Sequence, residues 1–147
     1  MTRVLVTGMS GVGKSTVLDE LRRRGHLAID TDDPGWVLPD GTWDQPRMGR
    51  LLDRHHDVVI SGTVENQGRF YDRFDHIVLL SVPVDVLLER VRTRTNNPYG
   101  KSAHQRADIV RYVRAVEPLL RRGATLELDA RQPVADLTDA IETLLKS

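Results

Sequence analysis

Gly8-Met9-Ser10-Gly11-Val12-Gly13-Lys14-Ser15 is the most informative stretch of this chain. It follows an apolar, strand-like run, Arg3-Val4-Leu5-Val6-Thr7. It leads into Ser15–Arg24, where Val17, Leu18 and Leu21 share one helical face before Gly25 stops the run. Strand, glycine turn and helix in that order, with the spacing G-x-x-x-x-G-K-S, describe a phosphate cradle. Glycines let the backbone curl until successive N–H groups converge on a β-phosphate. The helix N-terminus adds its partial positive charge. The residues expected against a nucleotide are therefore Gly8, Gly11, Val12, Gly13, Lys14, Ser15 and Thr16. Lys14 reaches toward the β- and γ-phosphates, and the Ser15 hydroxyl suits a Mg²⁺ ion.

On both sides of this turn, short apolar runs alternate with helical patterns, which predicts an α/β fold around a parallel sheet. Leu27–Ile29, Val58–Ile60, Ile77–Leu80 and Leu126–Leu128 read as strands two to five. The third and fourth are continuously apolar, as expected of strands covered on both faces. Residues 33–45 carry Pro34, Gly35, Pro39 and Gly41 and read as a loop. Helices are expected from Pro46 to His55, from Pro83 to about Arg94, through Ile109, Val113, Val116 and Leu120, and over the last stretch with Leu137, Ile141, Leu144 and Leu145. Pro118 should kink the long helix or end its regular part. Trp36 and Trp43, in the 33–45 loop, either wall a ligand site or cover the sheet edge.

Strand two ends in Asp30-Thr31-Asp32-Asp33. In a parallel sheet, strand C-terminal ends line the ligand crevice. That places Asp30 and Asp32 beside the γ-phosphate, where one carboxylate can hold a water of Mg²⁺ and the other can accept a hydroxyl proton. The competing reading is an acidic turn whose carboxylates cap local backbone. Further on, Arg90 and Arg94 are four apart and share a helix face. Arginines there, beside the turn-rich 95–101 segment, suit a cover over the phosphates, approximately residues 92–104. Arginine near a helix C-terminus also meets the helix dipole favourably without any ligand.

Gly8–Ser15, Asp30-Thr31-Asp32 and Leu88–Arg94 together resemble the P-loop small-molecule kinases of the shikimate kinase, gluconate kinase and nucleoside monophosphate kinase clan. The resemblance spans nearly the whole chain in its order of elements. It implies a three-layer P-loop NTPase fold, with a five-stranded parallel sheet in the order 2-3-1-4-5 and helices on both faces. It implies one kinase domain over residues 1–147, using ATP and Mg²⁺. By that likeness Ser15 and Asp30 hold the metal, and Lys14, Asp32 and Arg94 are catalytic. Arg90 lies against adenine, as do Arg131 and Pro133 after the last strand.

The chain departs from shikimate kinases in two places. Their triple glycine after strand three is here only Gly62, in Ser61-Gly62-Thr63-Val64-Glu65-Asn66-Gln67. Their carboxylate-binding arginine before a Pro-Leu pair is here Val116, ahead of Glu117-Pro118-Leu119. A carboxylate would lose a charge-assisted partner worth about 1.5–3 kcal/mol, which argues against shikimate. The strand-three exit offers amides and a carboxylate instead, suited to hydroxyls and amines. Asp32, Arg47, Gly62, Glu65, Asn66 and Gln67 are the expected contacts of a polar acceptor, though Asn66-Gln67-Gly68 also reads as a helix cap or turn.

Composition bounds the alternatives. The chain has 147 residues, 21 basic and 21 acidic, and no cysteine. Disulfides, thiolate chemistry and cysteine zinc sites are excluded. Zero net charge and 5% aromatic residues argue against nucleic acid as partner, and so against a polynucleotide 5′-hydroxyl kinase. Strand three ends in Ser61-Gly62 where many nucleotide-driven ATPases and switches carry an aspartate, which argues against an ATPase acting on protein or RNA. The five histidines make no metal-ligand spacing and read as structural. No apolar run approaches the ~20 residues of a membrane helix. The start in a strand leaves no room for a signal peptide. The expectation is a cytoplasmic protein, a monomer or weak dimer, whose partner is a small-molecule acceptor.

Overall fold

A computed structural model describes residues 2–94 and 99–146. Its five strands are β1 (Arg3–Thr7), β2 (Ala28–Asp30), β3 (Val58–Ser61), β4 (His76–Ser81) and β5 (Leu126–Asp129). They form one sheet in the order β2-β3-β1-β4-β5, every pairing parallel. The helices are α1 (Lys14–Arg23), α2 (Gln45–Arg54), α3 (Val84–Thr93), α4 (Ala103–Gly123) and α5 (Val134–Leu145). A short 3₁₀ helix, Gln67–Arg73, precedes β4.

Strand parity splits the core in two. Val4, Val6, Val59 and Val78 join a cluster with Val17, Leu18 and Leu21 of α1 and Leu137 and Ile141 of α5. Leu5, Val58, Ile60 and Ile77 point the other way, into a cluster with Met48, Leu51 and Leu52 of α2 and Phe70 of the 3₁₀ helix. Helices on both faces explain why β1, β3 and β4 are apolar without alternation.

Trp43 is fully buried in the second cluster, edge-on to Phe70 with ring centroids 5.9 Å apart. Its indole N–H donates to Thr31 Oγ1 at 3.0 Å. It is a core residue and does not wall a ligand site. Trp43→Ala is expected to destabilise the protein by about 3–5 kcal/mol, read as a lower denaturant midpoint.

Two local expectations change. A 3₁₀ helix, Gln67–Arg73, was not expected, and Asn66 stands at its N-cap position, which fits the cap reading of Asn66-Gln67-Gly68. α4 runs unbroken through Pro118. Pro118 and Arg114 are exposed, so the carbonyl that loses its bond faces water. The cover expected over residues 92–104 includes 95–98, which lie outside the described residues.

Candidate active site

Parallel strands deliver their C-terminal ends to one edge, and there the glycine turn meets the β2 exit. Gly8, Gly11 and Gly13 all have positive φ, at 154°, 96° and 103°. At Gly8 a side chain is sterically barred, because a Cβ would lie 2.5 Å from the Leu80 carbonyl oxygen of β4. The turn opens onto a cleft of about 460 Å³, lined by Ser10, Gly11, Gly13, Lys14, Ser15, Thr16, Asp32, Arg90 and Arg94.

The Lys14 ammonium donates to the carbonyls of Gly8 and Met9 at 2.6 and 3.1 Å. Burial strips its water and lowers its pKa from 10.5 to about 8, and Asp32 and then Asp30 only partly oppose this. Lys14 is thus a cation short of negative charge, held at the place a polyphosphate would supply it.

Ser15 Oγ donates to Asp30 Oδ2 at 2.6 Å, while Asp30 Oδ1 accepts the Asp32 N–H at 2.9 Å. The capping carboxylate of the turn is therefore Asp30. The Asp32 carboxylate has no hydrogen-bond partner among the described residues and lines the cleft. Desolvation, then the neighbouring Asp30, raises its pKa above the usual aspartate range, against the pull of Lys14.

One residue whose role was not foreseen joins this group. Ser61 pairs in register with both Asp30 and Val6, so its side chain lies on the α1 face of the sheet. Its hydroxyl is buried and has no hydrogen-bond partner among the described residues. A hydroxyl, a carboxylate and an orphaned second hydroxyl are hard oxygen donors of the kind a hydrated Mg²⁺ takes. Strand parity in the sequence could have signalled it, since Ser61 ends β3 as Asp30 ends β2.

Arg90 ties the turn to the β5 exit, donating to Val12 O at 3.2 Å and Ala130 O at 2.7 Å. Arg94 lines the cleft and donates to Tyr99 O at 2.9 Å. Arg131 does not line the cleft. It is exposed, clasps Asp129 at 2.7 Å, and borders a different hollow with Pro83 and Glu127. Pro133 is the N-cap residue of α5 and does not line the cleft.

Four of the expected acceptor contacts have other employment. Gln67 is buried, donates to Thr7 Oγ1 and Tyr71 Oη, and accepts the Val64 N–H. Asn66 brackets Trp43, accepting its N–H and donating to its carbonyl. Arg47 donates to Gly35 O and stacks 4.0 Å above the Trp36 ring. Gly62 is a glycine because a Cβ would strike Thr31 Oγ1. In each case a polar side chain or small residue that looked available is consumed in holding loops together. Glu65 stays exposed. Thr63, by contrast, reaches the cradle: its hydroxyl donates to Gly8 O at 2.5 Å, and it lies 3.2 Å from the Gly8 N–H and 3.0 Å from Thr7 Oγ1.

A glycine turn between a strand and a helix, a lysine inside it and acids from the next strand define a P-loop nucleotide-binding protein. The chain belongs to the AAA domain family, whose model matches residues 4–111. Among curated relatives, YqaC of Bacillus subtilis is 33% identical over 102 residues, 65% of this chain and 57% of that protein. A nucleotide-binding protein of Burkholderia thailandensis is 28% identical over 152 residues, 97% of this chain and 48% of that protein. The chain thus spans about half the length of the curated relatives it matches. In structure it is similar to shikimate kinase from Bacteroides thetaiotaomicron, with a TM-score of 0.73 at 20% identity over 99% of both chains. A gluconokinase from Sinorhizobium meliloti gives 0.61 at 20% identity, over 99% of this chain and 91% of that one. The fold is therefore that of the small P-loop kinases. Among the described residues, no helix is long and apolar enough to cross a membrane.

Proposed function

We propose that this protein transfers the γ-phosphoryl group of ATP to a hydroxyl of a small polar molecule other than shikimate. The observation that carries this reading is the unpartnered Asp32 carboxylate, with its raised pKa, in the same cleft as Lys14 and beside the Ser15–Asp30 pair. A cradle serving nucleotide binding alone has no need of a second acid kept free of hydrogen bonds.

The roles follow from charge. Ser15 and Asp30, with Ser61 behind them, would hold Mg²⁺, which when bound neutralises phosphate charge. Lys14 and the turn amides take the β- and γ-phosphates, and Arg94 faces the transferring group. Arg90 holds the turn against the β5 exit. The acceptor oxygen bonds to the γ-phosphorus as the bond from that phosphorus to the bridging oxygen breaks. ADP leaves, and the hydroxyl proton passes to Asp32. Positioning supplies most of the acceleration, because phosphoryl transfer needs little covalent help from protein.

The test is ADP release with ATP and Mg²⁺ against a panel of sugars, polyols, nucleosides and amino alcohols. The expected result is ADP formation that depends on one class of acceptor and yields its phosphate ester. ADP formed at the same rate with water alone would make the protein an ATPase instead.

A further inference from the structure

Beside the phosphate cradle, a second cleft of about 470 Å³ runs between the β3 exit and α4. Thr63 and Glu65 line one side, Tyr71 lies between, and Tyr112, Val116 and Leu119 line the α4 side. Residues 112, 116 and 119 share one helical face. Such a face on a surface helix is normally covered. Here Tyr112 and Leu119 remain 52% and 57% exposed. Among the described residues, no arginine, lysine or histidine lines the cleft. Its one charged group is the exposed Glu65 carboxylate, which has no partner among the described residues.

Two residues of its wall neighbour the cradle. Thr63 is hydrogen-bonded to Gly8. Tyr112 also borders a hollow of about 310 Å³ that reaches Ser10 and Arg94, both of which line the cradle. The side of the cleft nearest Thr63 and Tyr112 is therefore the side on which an acceptor hydroxyl would have to lie.

We propose that this cleft seats the acceptor, and that the acceptor is an amino alcohol with an apolar, ring-sized body. The assignment rests on the kinase reading for the role of its hydroxyl, and on the cleft's own walls for the rest. An ammonium finds Glu65 and the faces of tyrosine rings. The apolar body displaces water from Tyr112, Val116 and Leu119. A carboxylate or phosphate would meet only the like charge of Glu65. A bare polyol would leave its hydroxyls unpaired against the α4 wall.

The test measures binding of three matched probes to the full chain by ligand-observed NMR, with and without ADP and Mg²⁺. The probes are phenylalaninol, 3-phenylpropan-1-ol and 3-phenyllactate. Phenylalaninol should bind about three- to fivefold more tightly than the neutral alcohol, the scale of an ion pair with an exposed carboxylate, and 3-phenyllactate weakest of all. Glu65→Gln should erase the advantage of the amine. Leu119→Asp, on an exposed position, should weaken the amine and the neutral alcohol together. Equal binding of all three probes, binding of none at millimolar concentration, preference for the carboxylate, or indifference to Glu65→Gln would each overturn the proposal. So would self-association abolished by Leu119→Asp, since a second copy would then cover the cleft. The two readings fail separately. Probe binding without ADP release across a panel of alcohols defeats the kinase reading alone. Phosphorylation of a sugar acid at unchanged rates in Glu65→Gln defeats the acceptor assignment alone.

Discussion

Lys14→Met is expected to lower phosphoryl transfer by about a thousandfold, the scale seen when a preorganised charge is removed from a transferring group. The same substitution should stabilise the protein in the absence of nucleotide. Lys14 has a folded pKa of about 8 against an ordinary 10.5. Between those values the folded chain holds fewer protons than the unfolded chain, so stability rises with pH there. Below the folded value the buried ammonium is charged, and its desolvation is a standing cost of about 1–3 kcal/mol. Methionine at that position removes the cost at pH 7 and gains almost nothing near pH 10.5, where the wild-type lysine is already neutral. Chemical denaturation at the two pH values reads the difference. Polyphosphate binding should raise the Lys14 pKa and therefore take up protons at about pH 8. Titration calorimetry of ADP in buffers of different ionisation enthalpy measures that uptake. A stability gain independent of pH would show that the ammonium is not under the strain its surroundings imply.

Asp32→Asn carries the second large effect. Transfer should fall by about 10²–10⁴-fold, the range of a positioned general base. Nucleotide affinity should hold, because Asp32 neither caps the turn nor touches Ser15; those tasks fall to Asp30. The pH profile of the wild type should support this. The Asp32 pKa is raised, so the acid limb of kcat should lie above the range of an ordinary aspartate, and Asp32→Asn should abolish that limb. Full turnover by Asp32→Asn with a true acceptor would remove the residue from the chemistry. Asp30→Asn makes the contrast: it weakens the Ser15 tie and should impair nucleotide binding as well as transfer.

Local chemistry made most of the fold legible. The spacing of Gly8, Gly11, Gly13 and Lys14 between a strand and a helix can be satisfied in few ways, so the turn declared itself. Apolar runs without alternation marked buried parallel strands, and the observed sheet has the expected order. The element least visible was the 3₁₀ helix at Gln67–Arg73, which packs through Phe70 on Trp43 and has no periodic signature.

Partnership between distant polar groups lay beyond reading along the chain. Residue type states what a side chain can donate or accept; only the fold states what already satisfies it. Gln67, Asn66 and Arg47 have the chemistry of a substrate site, yet Thr7, Trp43 and Gly35 occupy them. Asp32, Glu65 and Ser61 stand out no more in sequence, and tertiary packing leaves each side chain without a hydrogen-bond partner among the described residues. The phosphate cradle was local, because neighbouring backbone amides build it. The cleft beside it is set by α4 lying against the β3 exit, segments far apart in the chain, and its apolar character arises from that meeting.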